Sequence, residues 1–500
     1  MSERAPDSPS WAVITAVMLT TLLEVLDLTV VNVSLPHMMG SFGATPDQIT
    51  WIVTSYMIST IVVMPLTGFL SARFGRREVL LWSIFGFVVA SALCGAAWSL
   101  ESMVLFRLLQ GGFGAVLIPL SQTVLLDAFP RAQRAKAMAI WSIAIMVAPI
   151  VGPTIGGIIT EHFVWRWVFY VNVPIGLFAL LLALSEIPTT PRRPTADIDW
   201  LGLLLMSLML GSLQAVLDLG HHHEWFASKL IMGLAITAAV TAILFVVRGL
   251  RVANHIVDLR LFGNRNFTLG CLLVAGYCLT MYATITLLPL LTQRLLGYPP
   301  DTAGLLFLPR GTTSALLLII VGSYLAHRVD ARWLIGIGLC FMTVACAFMA
   351  GYTLQIDPWG LIWPGMIQGI GMALIFGQLP LVTFETIPRD RADEAAGLYS
   401  VMRTLGSAFG VALSGTLYVR QEQVHWHTLG GHLADTNPDF QDWLLRGGVS
   451  LQDAAAPAKL AGLISKQASM QAFSDLYAAI AVSFLFLLPL VAMLRKPPRP

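Results

Sequence analysis

Long apolar segments alternate with short polar connections along nearly the whole chain. An α-helix rises about 1.5 Å per residue, so about 20 apolar residues cross the roughly 30 Å hydrocarbon core of a bilayer. Fourteen segments are long enough, and they predict fourteen transmembrane helices. The predicted spans are 12–36, 48–70, 79–98, 102–125, 137–160, 167–187, 200–219, 227–248, 267–291, 303–325, 333–353, 359–384, 396–418 and 474–494.

The composition agrees with an all-α membrane protein. Hydrophobic residues make up 56% of the 500 positions and charged residues only 12%, whereas about 25% of a soluble protein is charged. The first apolar segment is longer than the core of a signal peptide, and no small-residue cleavage site follows it. We therefore expect this segment to remain as the first span. The short basic loops do not resemble a nucleic-acid-binding surface.

The basic residues predict the orientation of the spans. With the N-terminus inside, the inner loops receive 20 of the 30 Lys and Arg residues. Two more, Arg107 and Arg403, fall within spans. Inner loops are the basic ones in membrane proteins, so both termini are predicted to be cytoplasmic. The eight residues assigned outside are Arg166, Lys229, Arg294, Arg310, Arg420, Arg446, Lys459 and Lys466.

An internal repeat divides the chain into two halves. Seven residue pairs are each separated by 258 positions: Gln110 and Gln368, Gly111 and Gly369, Ala115 and Ala373, Asp127 and Glu385, Pro130 and Pro388, Arg131 and Arg389, and Ser142 and Ser400. The repeat predicts a six-helix bundle at 1–188, two extra helices within a linker at 189–266, and a second six-helix bundle at 267–500. The second bundle includes a long extracytoplasmic loop at about 419–473. Parallel six-helix repeats are typical of transporters that bind substrate between the halves.

Two acids, Glu24 and Asp27, lie near the middle of the first span. An acid at the centre of a membrane helix costs about 2.5–3.5 kcal/mol on insertion scales. Residues three apart lie on one helix face, which must point into a protein or water-filled interior. We interpret Asp27 as a proton site, and Glu24 as either a second proton site or a substrate contact. The alternative for Asp27 is a structural acid satisfied by Thr29 or Asn32.

Arg107 lies at a depth that suits a partner in the first span. It is seven residues inside the fourth span, or about 10 Å from the outer surface, and Asp27 is about 13 Å from the same surface. A pair between Arg107 and Asp27 or Glu24 is therefore compatible with the sequence. The alternative is an arginine that extends to the membrane surface, which its depth disfavours.

Other polar residues within spans could line a substrate cavity or simply pack, and their positions do not distinguish these roles. They are Glu24, Asn32, Tyr56, Gln110, Tyr277, Tyr282, Gln368 and Gln378. The His221–His223 run is interpreted as a solvated loop rather than a metal site, and His425 and His427 likewise. No phosphate-binding loop or catalytic constellation is found. We therefore expect a secondary transporter that needs no cofactor and is driven by an ion gradient.

Several segments resemble the fourteen-span drug:proton antiporters of the major facilitator superfamily, the EmrB/QacA type, and most of all its EmrB branch. These segments are Leu26 to Pro36, Arg107 to Gly111, Gly152 with Pro153, and Trp165 to Gly176. The resemblance implies proton coupling at Asp27 with Arg107 linked to it. It also implies an antiporter motif at Gly152, Pro153, Gly156 and Gly157, and a cytoplasmic gate loop at Gly68, Arg73, Gly75, Arg76 and Arg77.

One position departs from this family. The gate loop usually carries an acid where this chain has Ala72, so a lock that uses that acid is not expected here. The expected function is proton-coupled export of lipophilic or cationic drugs across the bacterial inner membrane. The EmrB branch also implies a periplasmic adaptor of the EmrA type and an outer-membrane channel. The alternatives are export of an endogenous metabolite, lipid or siderophore, or a non-transporting scaffold or receptor.

Overall fold

The computed structural model describes residues 11–130, 133–190, 192, 199–220, 225–251, 258–431 and 456–495. The described residues form helices joined by short connections. The His221–His223 run and the segment 440–446 lie outside the described residues, as do Arg131, Arg193 and Arg446. The side chain of Pro153 is also outside the described set.

The N-terminal half contains ten helices. They are α1 (Trp11–Phe42), α2 (Pro46–Ile49), α3 (Trp51–Val63), α4 (Thr67–Phe74), α5 (Arg76–Gly95), α6 (Leu100–Gly114), α7 (Leu117–Ala128), α8 (Arg134–His162), α9 (Trp167–Tyr170) and α10 (Asn172–Glu186).

Two further helices, α11 (Trp200–Leu219) and α12 (Lys229–Arg251), pack against each other between the halves in sequence. Arg248 donates to Asp199 at 2.7 Å, which ties the end of α12 to the start of α11. Asp199 also caps α11 by accepting from the N–H of Gly202. α11 packs along α3, so the extra pair lies beside the N-terminal half.

The C-terminal half contains nine helices. They are α13 (Arg265–Pro289), α14 (Pro300–Ile320), α15 (Ala326–Arg328), α16 (Ala331–Met349), α17 (Pro358–Phe376), α18 (Gln378–Phe384), α19 (Ala392–Gly431), α20 (Ala456–Leu485) and α21 (Leu488–Ala492).

Twelve of the helical stretches in the described residues are long and apolar enough to cross a membrane. α8 and α19, with 29 and 40 residues, are not among those twelve. The predicted boundary at about 419 falls inside α19, which continues to Gly431. On the far side, α20 already begins at Ala456. The predicted outer loop is therefore largely helical in its described parts.

Counting charges assigns Arg310 to the outside, and the structure corrects this assignment. The residue lies in α14, ten positions after the first residue of that helix, Pro300. Ten residues of helix correspond to about 15 Å. Charge counting fails here because it treats each cation as a loop residue.

The central helix α1 packs closely on α8 through small residues. A Cβ placed on Gly152 would collide with the hydroxyl of Thr29, and one placed on Gly156 would lie 3.1 Å from the carbonyl oxygen of Val30. A Cβ on Gly157 would meet nothing within 4 Å. Glycines let membrane helices approach closely, and here they fix α1 within two residues of Asp27.

The two halves contact each other at one end of the helices, which we call the basic end because Arg73, Arg76, Arg77, Arg328 and Arg391 lie there. α4 meets the start of α19, and α8 meets the end of α14. Gly68 is essential to the first contact, since a Cβ there would lie 2.6 Å from backbone and side-chain carbons of Glu394.

We predict that Gly152→Ala disturbs the transporter core whereas Gly157→Ala does not. The added methyl group at position 152 has to displace Thr29, and overpacking of this kind costs about 1–3 kcal/mol. Thermal unfolding of the purified variants in detergent should show a lower midpoint for Gly152→Ala only. Equal midpoints for the two variants would contradict the close packing of α1 on α8.

Candidate functional site

The side chains of Asp27 and Glu24 on α1 are both buried, with 0% and 2% of their surface exposed. They do not share a partner. Asp27 is surrounded by helices of the N-terminal half. Glu24 accepts from the backbone N–H of Ile118, the second residue of α7, at 3.2 Å and interacts electrostatically with Arg403 of α19. One helix face thus presents two carboxylates to different surroundings.

Both carboxylate oxygens of Asp27 are hydrogen-bonded. Oδ2 accepts from Nη1 of Arg107 at 2.5 Å. Oδ1 accepts from Nε2 of Gln110 at 2.9 Å and from Nδ2 of Asn172 at 2.8 Å. The two amides also donate to the hydroxyl of Ser91, each at 3.2 Å. Helices α5, α6 and α10 therefore converge on one carboxylate of α1.

Arg107 is completely buried, like Asp27. Its Nε donates to the carbonyl oxygen of Ile52 at 3.1 Å, and its Nη1 also donates to Oε1 of Gln110 at 2.7 Å. The guanidinium carbon lies 4.1 Å from the centre of the Tyr56 ring, a distance suited to a cation–π contact. A buried charge is tolerated only when it is paired and hydrogen-bonded in this way.

The structure brings together Asp27, Arg107, Gln110 and Tyr56 from the predicted site. It adds Ser91 and Asn172, which sequence reasoning missed as site residues. Asn172 is the first residue of α10 and is fully buried. A polar amide at the start of a predicted span was a usable signal, but its direction depends on how α10 packs against α1.

The remaining predicted cavity residues are dispersed. Asn32 is exposed and takes no part in the hydrogen bonds around Asp27. Tyr282 is half-buried, while Gln368 and Gln378 are buried in the C-terminal half. A small cavity between the halves is lined by Trp141, Val274, Tyr277, Ile375, Phe376, Leu379, Pro380, Tyr399 and Arg403.

Arg76 is the centre of the gate loop. It contacts Asp127 of α7 at 2.5 Å and Asp393 of α19 at 2.9 Å. Ser71 also donates to Asp393. An acid from the opposite half thus reaches the loop that lacks one at Ala72. The lock that the sequence did not lead us to expect has a substitute acid on the other side of the contact.

The other gate-loop residues differ in their contacts. Gly75 has φ +93°, which favours glycine at this turn. Arg77 donates to the carbonyl oxygen of Leu184 within the same half at 2.7 Å. Arg73 is exposed and its guanidinium lies near the rings of Phe69 and Phe74. Within the described part of the chain, Arg76 is thus the gate-loop arginine that forms an ion pair across the halves.

A second ionic cluster lies beside this contact. Arg391 contacts Asp258 at 2.9 Å and Glu394 at 3.0 Å, and Glu394 accepts from the N–H of Asp258 at 2.8 Å. Burial raises the pKa of the Glu394 carboxyl, although the Asp258 N–H and Arg391 oppose this rise. The cluster ties the end of the linker to the first turn of α19.

No group of three metal-ligating side chains occurs within the part of the chain that the structure describes. His425, interpreted from sequence as solvated, contacts Asp475 at 2.7 Å. This contact joins the extended parts of α19 and α20. It therefore has a structural explanation.

Comparison with known proteins decides the family. Residues 17–411 match the Major Facilitator Superfamily. The chain belongs to this superfamily. It is 36% identical over 487 residues to the multidrug export protein EmrB of Escherichia coli, covering 97% of this chain and 94% of that protein. It is 35% identical over 490 residues to the fatty acid resistance protein FarB of Neisseria gonorrhoeae, with 96% and 95% covered.

Solved structures agree with a major facilitator fold. The human organic anion transporter MFSD10 superposes with a TM-score of 0.63 at 16% identity, covering 98% of this chain and 100% of that one. The proton:xylose symporter XylE gives 0.60 at 16% identity, with 97% and 99% covered. The predicted family and its EmrB branch are confirmed, and this major facilitator protein is a secondary transporter of the inner membrane.

We predict that Arg107→Met destabilises the transporter strongly because Asp27 is then left as a buried, unpaired charge. Removing one partner of a buried pair costs about 3–5 kcal/mol. The double variant Asp27→Leu/Arg107→Met removes both charges and should be more stable than Arg107→Met alone. Unfolding in detergent measures both effects, with Arg294→Met at an exposed position as the control. Additive losses in the double variant would contradict a coupled pair.

We predict that Arg76→Ala loosens the basic end and that Arg73→Ala does not. Cys278, buried beside Arg403, serves as the reporter in a variant whose other four cysteines are serine. Losing charged hydrogen bonds worth about 1.5–3 kcal/mol should raise its labelling by N-ethylmaleimide about tenfold or more. Equal labelling in the two arginine variants would contradict a special role for Arg76.

Proposed function

We propose that this transporter exports lipophilic drugs or toxic compounds across the inner membrane in exchange for protons, by alternating access. The observation that carries the proposal is the fully buried pair of Asp27 and Arg107. Ionisable residues at membrane depth are expensive and usually mark ion pathways or proton relays. The names of the EmrB relatives support drugs as the cargo.

The proposed coupling uses the cost of breaking the pair. When Asp27 takes up a proton, Arg107 keeps its bonds to Ile52 and Gln110 but loses its negative partner. An unpaired buried charge costs about 3–5 kcal/mol, and the conformations of a switching protein differ by only a few kcal/mol. Protonation of Asp27 is therefore sufficient to change the preferred conformation. Glu24 faces Arg403 across the halves and is proposed to sense substrate or a second proton.

The proposed topology has fourteen spans in a 6+2+6 arrangement, with both termini cytoplasmic. It requires α8 and α19 to cross the membrane in addition to the twelve apolar stretches. The basic end is then the cytoplasmic end. Since the halves contact each other there, the described conformation is proposed to be closed toward the cytoplasm.

The proposed energy source is the proton gradient, with no cofactor. One charge moving through 100 mV supplies about 2.3 kcal/mol. In this cycle a proton enters from the outside, neutralises Asp27 and leaves to the cytoplasm after the halves have changed their contact. Substrate moves in the opposite direction on the return.

An adaptor of the EmrA type is a proposed partner. α19 and α20 extend beyond the predicted membrane boundary and are joined there by His425 and Asp475. This helical extension is proposed to contact the adaptor, which would lead to an outer-membrane channel. A lipid-like cargo is a second candidate, supported by the similarity to a protein named for fatty acid resistance.

We predict that Asp27→Asn inserts and folds but no longer couples drug export to protons. Asparagine keeps the size of the side chain and one acceptor oxygen for Arg107, but it cannot release a proton. Proton flux on adding a lipophilic cation should occur in proteoliposomes of the wild type and be absent in the variant.

Glu161→Gln, at an exposed position, is the control and should behave like the wild type. Proton flux that survives in Asp27→Asn would show that Asp27 is not the coupling site. Absence of flux in the wild type would count against proton-coupled export of this class of compound.

A further inference from the structure

Arg310 is a cation at membrane depth that the proposed proton cycle does not use. It lies in the middle of α14, about 15 Å along the helix from Pro300. Among the described residues it has no ion-pair partner, unlike Arg107. Its Nε and Nη2 each reach only the sulfur of Met372, at 3.4 Å, and a thioether is a weak acceptor.

The internal repeat identifies what Arg310 corresponds to in the other half. Gly111 admits the carbonyl oxygen of Tyr56, and its repeat partner Gly369 admits the carbonyl oxygen of Arg310. Arg310 therefore occupies the position of Tyr56. The repeat partner of Arg107 is Gly365, which has no side chain, and a Cβ placed there would lie 3.6 Å from Cβ of Arg310. The cation has moved to the neighbouring helix.

The same comparison locates the counterpart of Asp27. Gly152 lies against Thr29, and its repeat partner Gly410 lies against Leu279. Asp27 precedes Thr29 by two residues, and Tyr277 precedes Leu279 by two residues. The C-terminal half thus has a phenol where the N-terminal half has a carboxylate. Its cation is present but the matching anion is missing.

Unused hydrogen-bond donors surround Arg310. Tyr277 and Tyr477 are 1% and 0% exposed, and their hydroxyls have no partner within the described part of the chain. Both interact electrostatically with Arg310. A buried hydroxyl without a partner costs about 1–3 kcal/mol. A guanidinium and two phenols therefore face one place where an acceptor is needed.

The surroundings of these donors are apolar. The rings of Phe376 and Phe484 lie 6.2 and 6.4 Å from that of Tyr277, and the small cavity between the halves includes Tyr277 and Phe376. Aromatic walls with a few convergent polar groups are typical of small-molecule sites.

We propose that Arg310, together with the hydroxyls of Tyr277 and Tyr477, binds the carboxylate of a lipophilic organic acid. A carboxylate accepts two parallel hydrogen bonds from a guanidinium and has further lone pairs for the two hydroxyls. The apolar part of the ligand packs against Phe376 and Phe484. Binding stands on this geometry alone, and only export of the bound acid rests on the proposed function.

The test compares three ligands of one shape, 4-phenylbutanoate, 4-phenylbutanamide and 4-phenylbutylamine. Isothermal titration calorimetry uses the full chain in nanodiscs of phosphatidylcholine at neutral pH, without any gradient. The wild type should bind the carboxylate about tenfold or more tightly than the amide, since hydrogen bonds to charged groups differ from neutral ones by this amount. Arg310→Gln should abolish the preference, and Arg294→Gln, at an exposed position, should keep it.

The proposal is overturned if the wild type binds the carboxylate no better than the amide, or if Arg310→Gln retains the preference. If Arg310→Gln does not fold, Tyr277→Phe decides, because it removes only the hydroxyl. A preference reduced severalfold in Tyr277→Phe supports the site, and an unchanged preference overturns it.

The outcome is independent of proton coupling. Carboxylate binding that depends on Arg310 in a protein without proton flux would support the site and count against the proposed function. Proton flux with drugs but no carboxylate preference would do the reverse.

Discussion

The ion pair of Asp27 and Arg107 is the constraint on which the N-terminal half depends. Two charges without water are tolerated only when every strong acceptor and donor near them is used. Here α5, α6 and α10 each supply a donor to α1, while Ile52 accepts from Arg107. Close packing of α8 on α1 through Gly152 leaves no room for α1 to shift. The fold around the pair is therefore a shell that holds one carboxylate in place.

Properties carried by length and polarity along the chain were predictable. Apolar length predicts helices, and the cost of an acid within the membrane is enough to single out Asp27 from the sequence. Which side chains meet was not predictable, because the contacts of Ser91 and Asn172 depend on how three helices pack. The continuation of α19 beyond position 419 was missed for a related reason, since a helix that leaves the membrane loses its apolar signal.

The gate shows why one missing residue is a weak argument against a mechanism. Ala72 lacks the acid expected from the family, yet Asp393 supplies a carboxylate from the other half to Ser71 and Arg76. An ion pair requires only that the two charges meet, and either side of a contact can provide the acid. The basic residues of this loop also divide by contact, because Arg76 holds the halves together whereas Arg73 lies at the surface.

The two halves keep the same backbone contacts but differ in their charges. Gly111 and Gly369 serve the same close approach between helices, and a side chain at either position would separate them. Polar side chains facing the interior are under no such packing constraint. One half could therefore keep an acid with its arginine, while the other exchanged the acid for Tyr277 and moved the cation to Arg310. A duplicated scaffold in this way separates proton chemistry in one half from ligand chemistry in the other, and both respond to the same movement between halves.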